Sequence, residues 1–323
     1  MAGLFPNNDS VDYEMLRLIS AARYQGSDVL EILQLIPTMT PGGFESWHDA
    51  FYGLAQRVEV EIHDRTTRLS SLCGRGRLPG FDRALGVLGN ATRHTLNSPK
   101  DDFEIPIIVY KAPGIGPKHT MILGNGFDGV GFIYDWERVV TPVVDFAVAN
   151  AETLEVDTAK LVLLGYSMGG FLAVRAAAFE HRLAACIAVD GIWDMSMLFT
   201  AKMPPEAPTL WRSGTPENRV RFDEAISALL ASGKLAIGAQ WPMNHAMWAF
   251  CTRSAPELYG RIAKFTLEGV IGGVRCPVFI GDAETDIFFK GQPQMVKEKL
   301  CEKGHLYTFT KESGADCSVG AAT

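Results

Sequence analysis

Short apolar runs alternate with helix-forming stretches over the last two thirds of the chain. Residues 161–164 have no polar face, which is typical of a strand buried on both sides of a sheet, and the alanine-rich stretch after them favours a helix. The pattern predicts an edge strand at 103–110, buried strands at 119–123 and 183–190, a further strand within 275–286, and a last strand at 305–310, with helices over 132–150 and up to residue 299. This alternation predicts an α/β fold.

Two segments depart from the alternation. Residues 1–100 carry three helical patterns, so we expect a helical region packed on a core at 101–323 rather than a separate binding module. Their apolar stripes are Val11, Met15, Leu18, Ile19 and Ala22; Val29, Ile32, Leu33 and Ile36; and Phe44, Trp47, Phe51, Leu54 and Val58. Residues 193–264 hold four of the six tryptophans and five of the eleven methionines, which is typical of an adaptable apolar lid, although roughly half of this enrichment would suit an ordinary core.

The turn between the central strand and its helix reads Gly-Tyr-Ser-Met-Gly at residues 165–169. A G-x-S-x-G turn between a buried strand and a helix is typical of a nucleophile elbow, where glycines let the strand and helix pack around a strained serine. Ser167 is therefore the predicted nucleophile, and the amide of Met168 is a predicted oxyanion donor. The glycine-rich loop after strand 119–123 is expected to supply a second donor, the amide of Phe127, with a plain turn as the alternative.

A nucleophilic serine needs a base, and the base needs a carboxylate that fixes its tautomer. The expected chain order is serine, acid, histidine, so Asp286, which follows the strand after the lid, is the predicted acid, with Asp282 and Asp190 as alternatives. His305 begins the last strand and is expected at the opposite edge of the sheet from the nucleophile. His245, within the lid, is the other candidate for a base that can reach the pocket.

Composition limits the partners of this 323-residue chain. A net charge of −7 lacks the basic footprint of a nucleic-acid-binding or anionic-membrane-binding protein. The six cysteines are scattered without metal-ligand spacing, which favours a reducing compartment. Without a leader pattern or an apolar run long enough to span a bilayer, the sequence predicts a soluble, cytoplasmic protein. We expect a small apolar substrate, no cofactor, no metal, no nucleic acid and no membrane partner, and a homodimer is compatible with these features.

Four stretches resemble the fungal α/β-hydrolases of polyketide clusters. They are the loop at 124–129, Asp-Trp-Glu-Arg-Val-Val at 135–140, the elbow with Ala-Ala-Ala-Phe-Glu-His-Arg at 176–182, and the acid loop at 282–293, whose Phe-Phe-x-Gly-Gln-Pro is the most specific match. The family includes the hydrolase of yellowish-green conidial pigment synthesis and those of fusarin and cytochalasan clusters, with distant bacterial relatives that cleave carbon–carbon bonds in pyridine alkaloid breakdown. The resemblance implies an α/β-hydrolase fold with a lid at about 193–264, the nucleophile on Ser167 and the acid on Asp286.

Two departures from this family stand out. Its members have a further strand between the 124–129 loop and the Asp-Trp-Glu helix, whereas here only two residues separate Gly129 from Phe132, too few for a strand and its crossover. We therefore expect the sheet to lack a central member. Family members also end with a histidine in a Gly-Ala, His-Cys, Gly-Ala succession, and Asp316 stands at that place.

Two functions are compatible with these features. The first is a serine-type hydrolase acting on an ester, lactone, thioester or carbon–carbon bond of a polyketide-derived intermediate in fungal secondary-metabolite biosynthesis. Each of these reactions passes through an oxyanion, so the motif does not separate them. The second, motivated by the missing histidine, is a catalytically impaired member that binds an intermediate and assists its cyclisation.

Overall fold

The structure of the chain is a computed structural model. It describes residues 15, 18–19, 29–40, 43–64, 90–98, 101, 103–124, 126–127, 133–201, 203, 207–212, 215–232, 237–286 and 288–313. By internal contacts the chain divides into two compact units. The first comprises residues 1–93 and 108–111 with residue 323, and the second comprises residues 94–107 and 112–322.

Helices dominate the described part of the first unit. Helix α1 spans Val29–Leu35 and runs into a 3₁₀ turn at Ile36–Thr38, and helix α2 spans Phe44–Asp64, which confirms the third predicted helix. Residues 15, 18 and 19 are also helical, with Met15 fully buried, whereas Val11 and Ala22 lie outside the described residues.

The apolar stripe predicted for α1 is partly wrong. Ile32 and Leu35 are buried, but Val29 and Leu33 are exposed to about 40%. Residues three apart share a face of a helix, so the buried stripe of this short helix runs through positions 32 and 35.

The remaining strands and longer helices alternate along the chain. They are β1 (Ala91–Asn97), β2 (Glu104–Tyr110), β3 (Lys118–Gly124), α3 (Glu137–Ala149), α4 (Ala151–Leu154), β4 (Val156–Tyr166), α5 (Met168–Ala177), β5 (Leu183–Val189), α6 (Met195–Thr200), α7 (Ala207–Arg212), α8 (Pro216–Ala231), α9 (Ile237–Ala249), α10 (Ala255–Ile262), β6 (Val278–Ala283), α11 (Gln292–Leu300) and β7 (Gly304–Phe309). This order confirms the α/β class. No helix among the described residues is both long and apolar enough to cross a membrane.

Two separate sheets contain these strands. Five parallel strands pair in the order β3-β4-β5-β6-β7, and β1 pairs with β2 in a two-stranded sheet. The expected site of the loss of a central strand, residues 129–132, lies outside the described residues, so this loss stays a prediction.

The position of β3 corrects one prediction from the sequence. We expected a strand buried on both faces, but β3 pairs only with β4 among the described strands, and Met121 and Leu123 are 58% and 63% exposed. Its apolar composition suits the interior of a sheet, whereas its position in the described structure is at the edge.

Two further boundaries differ from the predictions. Strand β1 lies within the stretch expected to be helical, because its polar residues Thr92, Arg93 and Thr95 give little apolar alternation to read. Helix α3 begins at Glu137, whereas the pattern predicted a start at residue 132, which lies outside the described residues.

The core centres on the contact between β4 and α5. Leu161, Leu163 and Phe171 have no exposed surface, and every residue of α5 is buried. A Cβ atom placed on Gly165 would lie 1.8 Å from the carbonyl oxygen of Gly169, so the strand and the helix touch backbone to backbone. Any side chain at position 165 would force these two elements apart.

We therefore expect Gly165→Ala to destabilise the fold by about 1–3 kcal/mol or more, because the methyl group has no space between β4 and α5. The matched control is Gly260→Ala in α10, where a Cβ meets nothing within 4 Å and where alanine favours the helix by about 0.5–1 kcal/mol. Urea unfolding of both variants would measure the difference. Equal stability of the two variants would contradict the tight contact.

Candidate active site

Ser167 occupies a strained turn between β4 and α5. Its backbone adopts φ 55° and ψ −124°, a region that non-glycine residues rarely enter. Two backbone hydrogen bonds hold this conformation: the Ser167 amide donates to the carbonyl of Val189 (2.7 Å), and the Gly170 amide donates to the carbonyl of Ser167 (2.7 Å). The turn has the conformation expected of a nucleophile elbow, with Met168 as the first residue of α5.

The loop after β3 passes directly beside this serine. A Cβ atom on Gly126 would lie 3.1 Å from the Cβ of Ser167 and 3.6 Å from its Oγ. The next residue is Phe127, which is partly buried and packs against the core. The structure thus places the predicted oxyanion loop beside the predicted nucleophile, and the role of the Phe127 amide stays a prediction.

Asp286 lies in the loop after β6, at the same edge of the sheet as Ser167. It is 6% exposed, and its Oδ1 accepts hydrogen bonds from the amides of Phe288 (2.6 Å) and Phe289 (2.9 Å). Burial raises the pKa of this carboxyl group, the two amides act in the opposite direction, and the nearby charge of Asp282 adds to the rise. The predicted acid is therefore held rigidly by its own loop.

The two alternative acids have different surroundings. Asp282 Oδ2 accepts hydrogen bonds from Gln294 Nε2 (2.7 Å) and Thr308 Oγ1 (3.2 Å), which ties together β6, α11 and β7. Asp190 follows β5, is 2% exposed, and its Oδ2 has no hydrogen-bond partner within the described structure. These contacts favour a structural role for Asp282 and leave Asp190 as a buried group without an assigned role.

Asp190 has a strongly shifted titration. Burial raises its pKa from 3.8 to about 8, and the neighbouring carboxyl groups of Asp286 and Asp282 add to the rise. Asp190 is therefore mostly protonated at neutral pH.

Among the described residues, no group of histidine, cysteine, aspartate and glutamate side chains is arranged to hold a metal ion.

The two histidines considered as a base, His305 and His245, lie in different parts of the structure. His305 is exposed near the start of β7, paired in register with Phe279 at the amino edge of the sheet, as expected. His245 lies on α9, and its Nε2 contacts the carbonyl oxygen of Phe127. The structure therefore brings His245 to the loop beside Ser167. Asp316 lies outside the described residues.

The segment between β5 and β6 contains helices α6 to α10, and its role as a lid stays a prediction. Many of its large side chains form an aromatic cluster around Tyr259, with Phe199, Trp211 and Phe222 at ring-centroid distances of 5.2–6.2 Å. Trp193 and Trp211 are buried, whereas Trp248 is 56% exposed. Part of the tryptophan enrichment is therefore core.

The sequence reasoning missed the role of Gln292. This side chain is 2% exposed, and its Oε1 accepts hydrogen bonds from the amides of Trp193 (2.9 Å) and Asp194 (2.8 Å), where the lid begins. Gln292 belongs to the Phe-Phe-x-Gly-Gln-Pro stretch. That motif was the available signal, but its partners lie about 100 residues away along the chain.

Comparison with known proteins identifies relatives over most of the chain. A family model described as "Alpha/beta hydrolase family" matches residues 39–310. The alpha/beta hydrolase psoB of Aspergillus fumigatus is 30% identical, over 90% of this chain and 82% of its own length. Hydrolyase ccsE of Aspergillus clavatus is 25% identical, over 89% and 85%, and 20-hydroxy-prefusarin hydrolase FUS2 of Gibberella moniliformis is 24% identical, over 87% and 84%. These relatives confirm the resemblance to fungal secondary-metabolite hydrolases.

Structural comparison agrees with the assigned fold. The crystal structure of 2,6-dihydroxy-pseudo-oxynicotine hydrolase matches with a TM-score of 0.52 at 16% identity, covering 97% of this chain and 81% of that one. The alignment with psoB spans 372 positions, more than the whole of this chain. The relative therefore has segments without a counterpart here.

The raised pKa of Asp190 leads to a prediction about how the stability of the protein depends on pH. Between about pH 4 and 8 the unfolded chain loses this proton while the folded chain keeps it, so the folded state binds more protons and stability falls as pH rises. Asp190→Asn, which resembles the neutral acid, should therefore gain stability relative to the original protein as pH increases from 4 to 8. Thermal melts across this range would measure it.

Asp49→Asn, at an aspartate whose side chain is 82% exposed, is the control for the same chemical change at the surface. A difference for Asp190→Asn that stays constant between pH 4 and 8 would show that Asp190 ionises normally.

Proposed function

Because this chain belongs to the α/β hydrolase family, we propose that it is a serine-type hydrolase acting on a carbonyl group of a polyketide-derived intermediate in fungal secondary-metabolite biosynthesis. The observation that carries the proposal is the conformation of Ser167, strained at φ 55° at the start of α5 with Gly126 packed beside it. Strain of this kind persists where the surrounding structure enforces it, and it is common at catalytic sites.

In the proposed reaction, the Oγ of Ser167 forms a bond to the carbonyl carbon of the substrate. The carbonyl oxygen becomes an oxyanion, for which the amides of Met168 and Phe127 are the proposed donors. Collapse of this intermediate breaks the bond to the leaving group, which takes up the proton lost by Ser167, and water then releases the acyl group from the serine. An ester, lactone, thioester or carbon–carbon bond would each follow this course.

Asp286 is the proposed acid of this site. Its Oδ1 is fixed by the amides of Phe288 and Phe289, which sets the orientation of the whole carboxyl group. A carboxylate in this role orients the group that removes the serine proton. From the sequence, His245 is the candidate for that group because it lies in the lid, and in the structure its Nε2 contacts the carbonyl oxygen of Phe127.

The nature of the substrate is supported by the relatives and by the lid. One relative is named a 20-hydroxy-prefusarin hydrolase, and the others named above are also fungal hydrolases. In this chain, Met243 and Met247 of the lid are only partly buried and pack against the core, and Trp248 is exposed. Flexible thioether and aromatic side chains of this kind suit an apolar substrate of irregular shape.

A fluorophosphonate probe tests the proposed nucleophile directly. We expect stoichiometric labelling of Ser167 in the folded protein and none in Ser167→Ala, because the probe forms a covalent bond with an activated serine. Peptide mapping by mass spectrometry would locate the label. Ser232→Ala, at the exposed end of α8, is the matched control and should label like the original protein. Folded protein that is not labelled at Ser167 would exclude the proposed mechanism.

A second candidate function is the binding of an intermediate to assist its cyclisation without covalent chemistry. The contact of His245 Nε2 with a carbonyl oxygen favours it, because this contact engages one of the two nitrogens through which the imidazole could act as a base. In this case Ser167→Ala should form as much cyclised product as the original protein.

Product formation by the fungus carrying each variant would separate the two functions. Loss of product with Ser167→Ala would exclude the non-covalent role. A weak residual turnover by Ser167→Ala would not support the non-covalent role, since the rest of a serine site can retain about 10³–10⁴-fold catalysis over water.

A further inference from the structure

A side chain of the lid contacts the loop that carries the proposed oxyanion donor. His245 lies on α9 and is partly buried, and its Nε2 contacts the carbonyl oxygen of Phe127. The rings of these two residues also meet edge to face, with centroids 4.8 Å apart. One imidazole thus contacts both the backbone and the side chain of Phe127.

The chemistry of this contact indicates which nitrogen of the imidazole carries a hydrogen. A carbonyl oxygen only accepts hydrogen bonds, so Nε2 of His245 must carry the hydrogen and donate it. A nitrogen that already carries a hydrogen cannot take the proton of Ser167. In this arrangement, Nε2 of His245 therefore donates a hydrogen bond to the loop and does not accept the proton of Ser167.

Phe127 is held from several directions. Besides His245, its ring lies 6.2 Å from that of Phe250, which is 3% exposed and follows α9 directly. Phe250 packs in turn against Phe265, at a centroid distance of 5.4 Å and nearly perpendicular. Residues at the end of the lid thus anchor the ring, while His245 anchors the carbonyl group.

The position of Phe127 affects the surroundings of Ser167 through one residue, Gly126. Gly126 precedes Phe127, and its Cα lies so close to the serine that an added Cβ would be 3.1 Å from Tyr166 O and from Ser167 Cβ. The amide of Phe127 belongs to the peptide group between these two loop residues. Fixing Phe127 at its ring and at its carbonyl therefore sets the direction of that amide relative to Ser167.

We propose that His245 is a positioning residue, which holds the Phe127 amide in the orientation that stabilises the oxyanion and so couples the position of the lid to the catalytic competence of Ser167. This inference rests on the proposed serine chemistry. It assigns His245 a different role from that of the base: its hydrogen-bond donor acts on the loop, and the lid completes the site when α9 lies over Phe127.

Substitutions at His245 separate positioning from proton transfer. Glutamine keeps an N–H donor of similar reach but cannot act as a base, whereas alanine has no donor, and the amide of asparagine is one methylene shorter. Phosphonylation of Ser167 by a fluorophosphonate would be measured over a range of probe concentrations, which gives the limiting rate and the apparent dissociation constant separately. His305→Ala, at the far edge of the sheet, is the matched control.

The expected result is a fall of the limiting rate on the order of 10²-fold for His245→Ala, because a displaced catalytic group costs about this much. His245→Asn should resemble His245→Ala, His245→Gln should recover most of the rate, and the apparent dissociation constant of the probe should change little. Thermal melts of each variant establish that the rates refer to folded protein.

Three results would overturn the inference. A His245→Gln variant as slow as His245→Ala would assign proton transfer to the imidazole, and a His245→Ala variant as fast as the original protein would remove any role for it. A rise of the dissociation constant without a change in the limiting rate would assign His245 to substrate binding. If the original protein itself is not labelled, the proposed function fails, whereas labelling of the original protein with any of these three patterns overturns only the role of His245.

Discussion

The direct contact between the backbones of β4 and α5 is the constraint on which the rest of the site depends. With no side chain at Gly165, the first turn of α5 approaches the strand closely enough that a Cβ would lie 1.8 Å from Gly169 O. A connection this short forces Ser167 into its positive φ and places it directly before Met168, the first residue of α5. A second close approach, of Gly170 to the carbonyl oxygen of Asp190, brings the end of β5 to the same place. The positions of Ser167 and Asp190 are therefore consequences of glycine packing.

The sequence predicts those features of the fold and site that depend on local pattern. The elbow, the strand that precedes Asp286 and the place of His305 at the amino edge follow from runs of a few residues, and the structure agrees with each. Features that depend on distant partners could not be predicted in this way. The exposure of Met121 follows from the neighbours of β3 in the sheet, and the contact of His245 joins residues 118 positions apart. No local periodicity carries information about such pairs.

The motifs that carry the family resemblance also have a physical explanation in the fold. The indole of Trp136 fills the space beside Gly124, where a Cβ would lie 2.2 Å from the ring. Glu137 forms a largely buried bidentate ion pair with Arg175 (3.0 and 3.1 Å), which attaches α3 to α5, the helix that follows Ser167. Gln292 attaches the acid loop to the start of the lid. These residues hold the site in place without any of them taking part in the proposed chemistry, since they connect the elements on which Ser167, Asp286 and the lid are carried.

The three carboxyl groups at the ends of β5 and β6 show why residue type alone cannot assign roles. From the sequence, Asp190, Asp282 and Asp286 are alternatives for one position, because each lies near or just after the end of a strand at the same edge. Their surroundings divide them: Asp282 is bonded to Gln294 and Thr308, Asp286 is held by two amides of its own loop, and Asp190 is enclosed without a partner for Oδ2 among the described residues. Ionising all three neighbouring carboxyl groups in a buried site is energetically unfavourable. The pKa of Asp190, about 8, places the retained proton on this residue at neutral pH. Burial and the nearby charge of Asp282 raise the pKa of Asp286, and its two amide donors act in the opposite direction. Asp286 stays the predicted acid because, of the three, it is the one whose carboxyl group is oriented by two amides of its own loop.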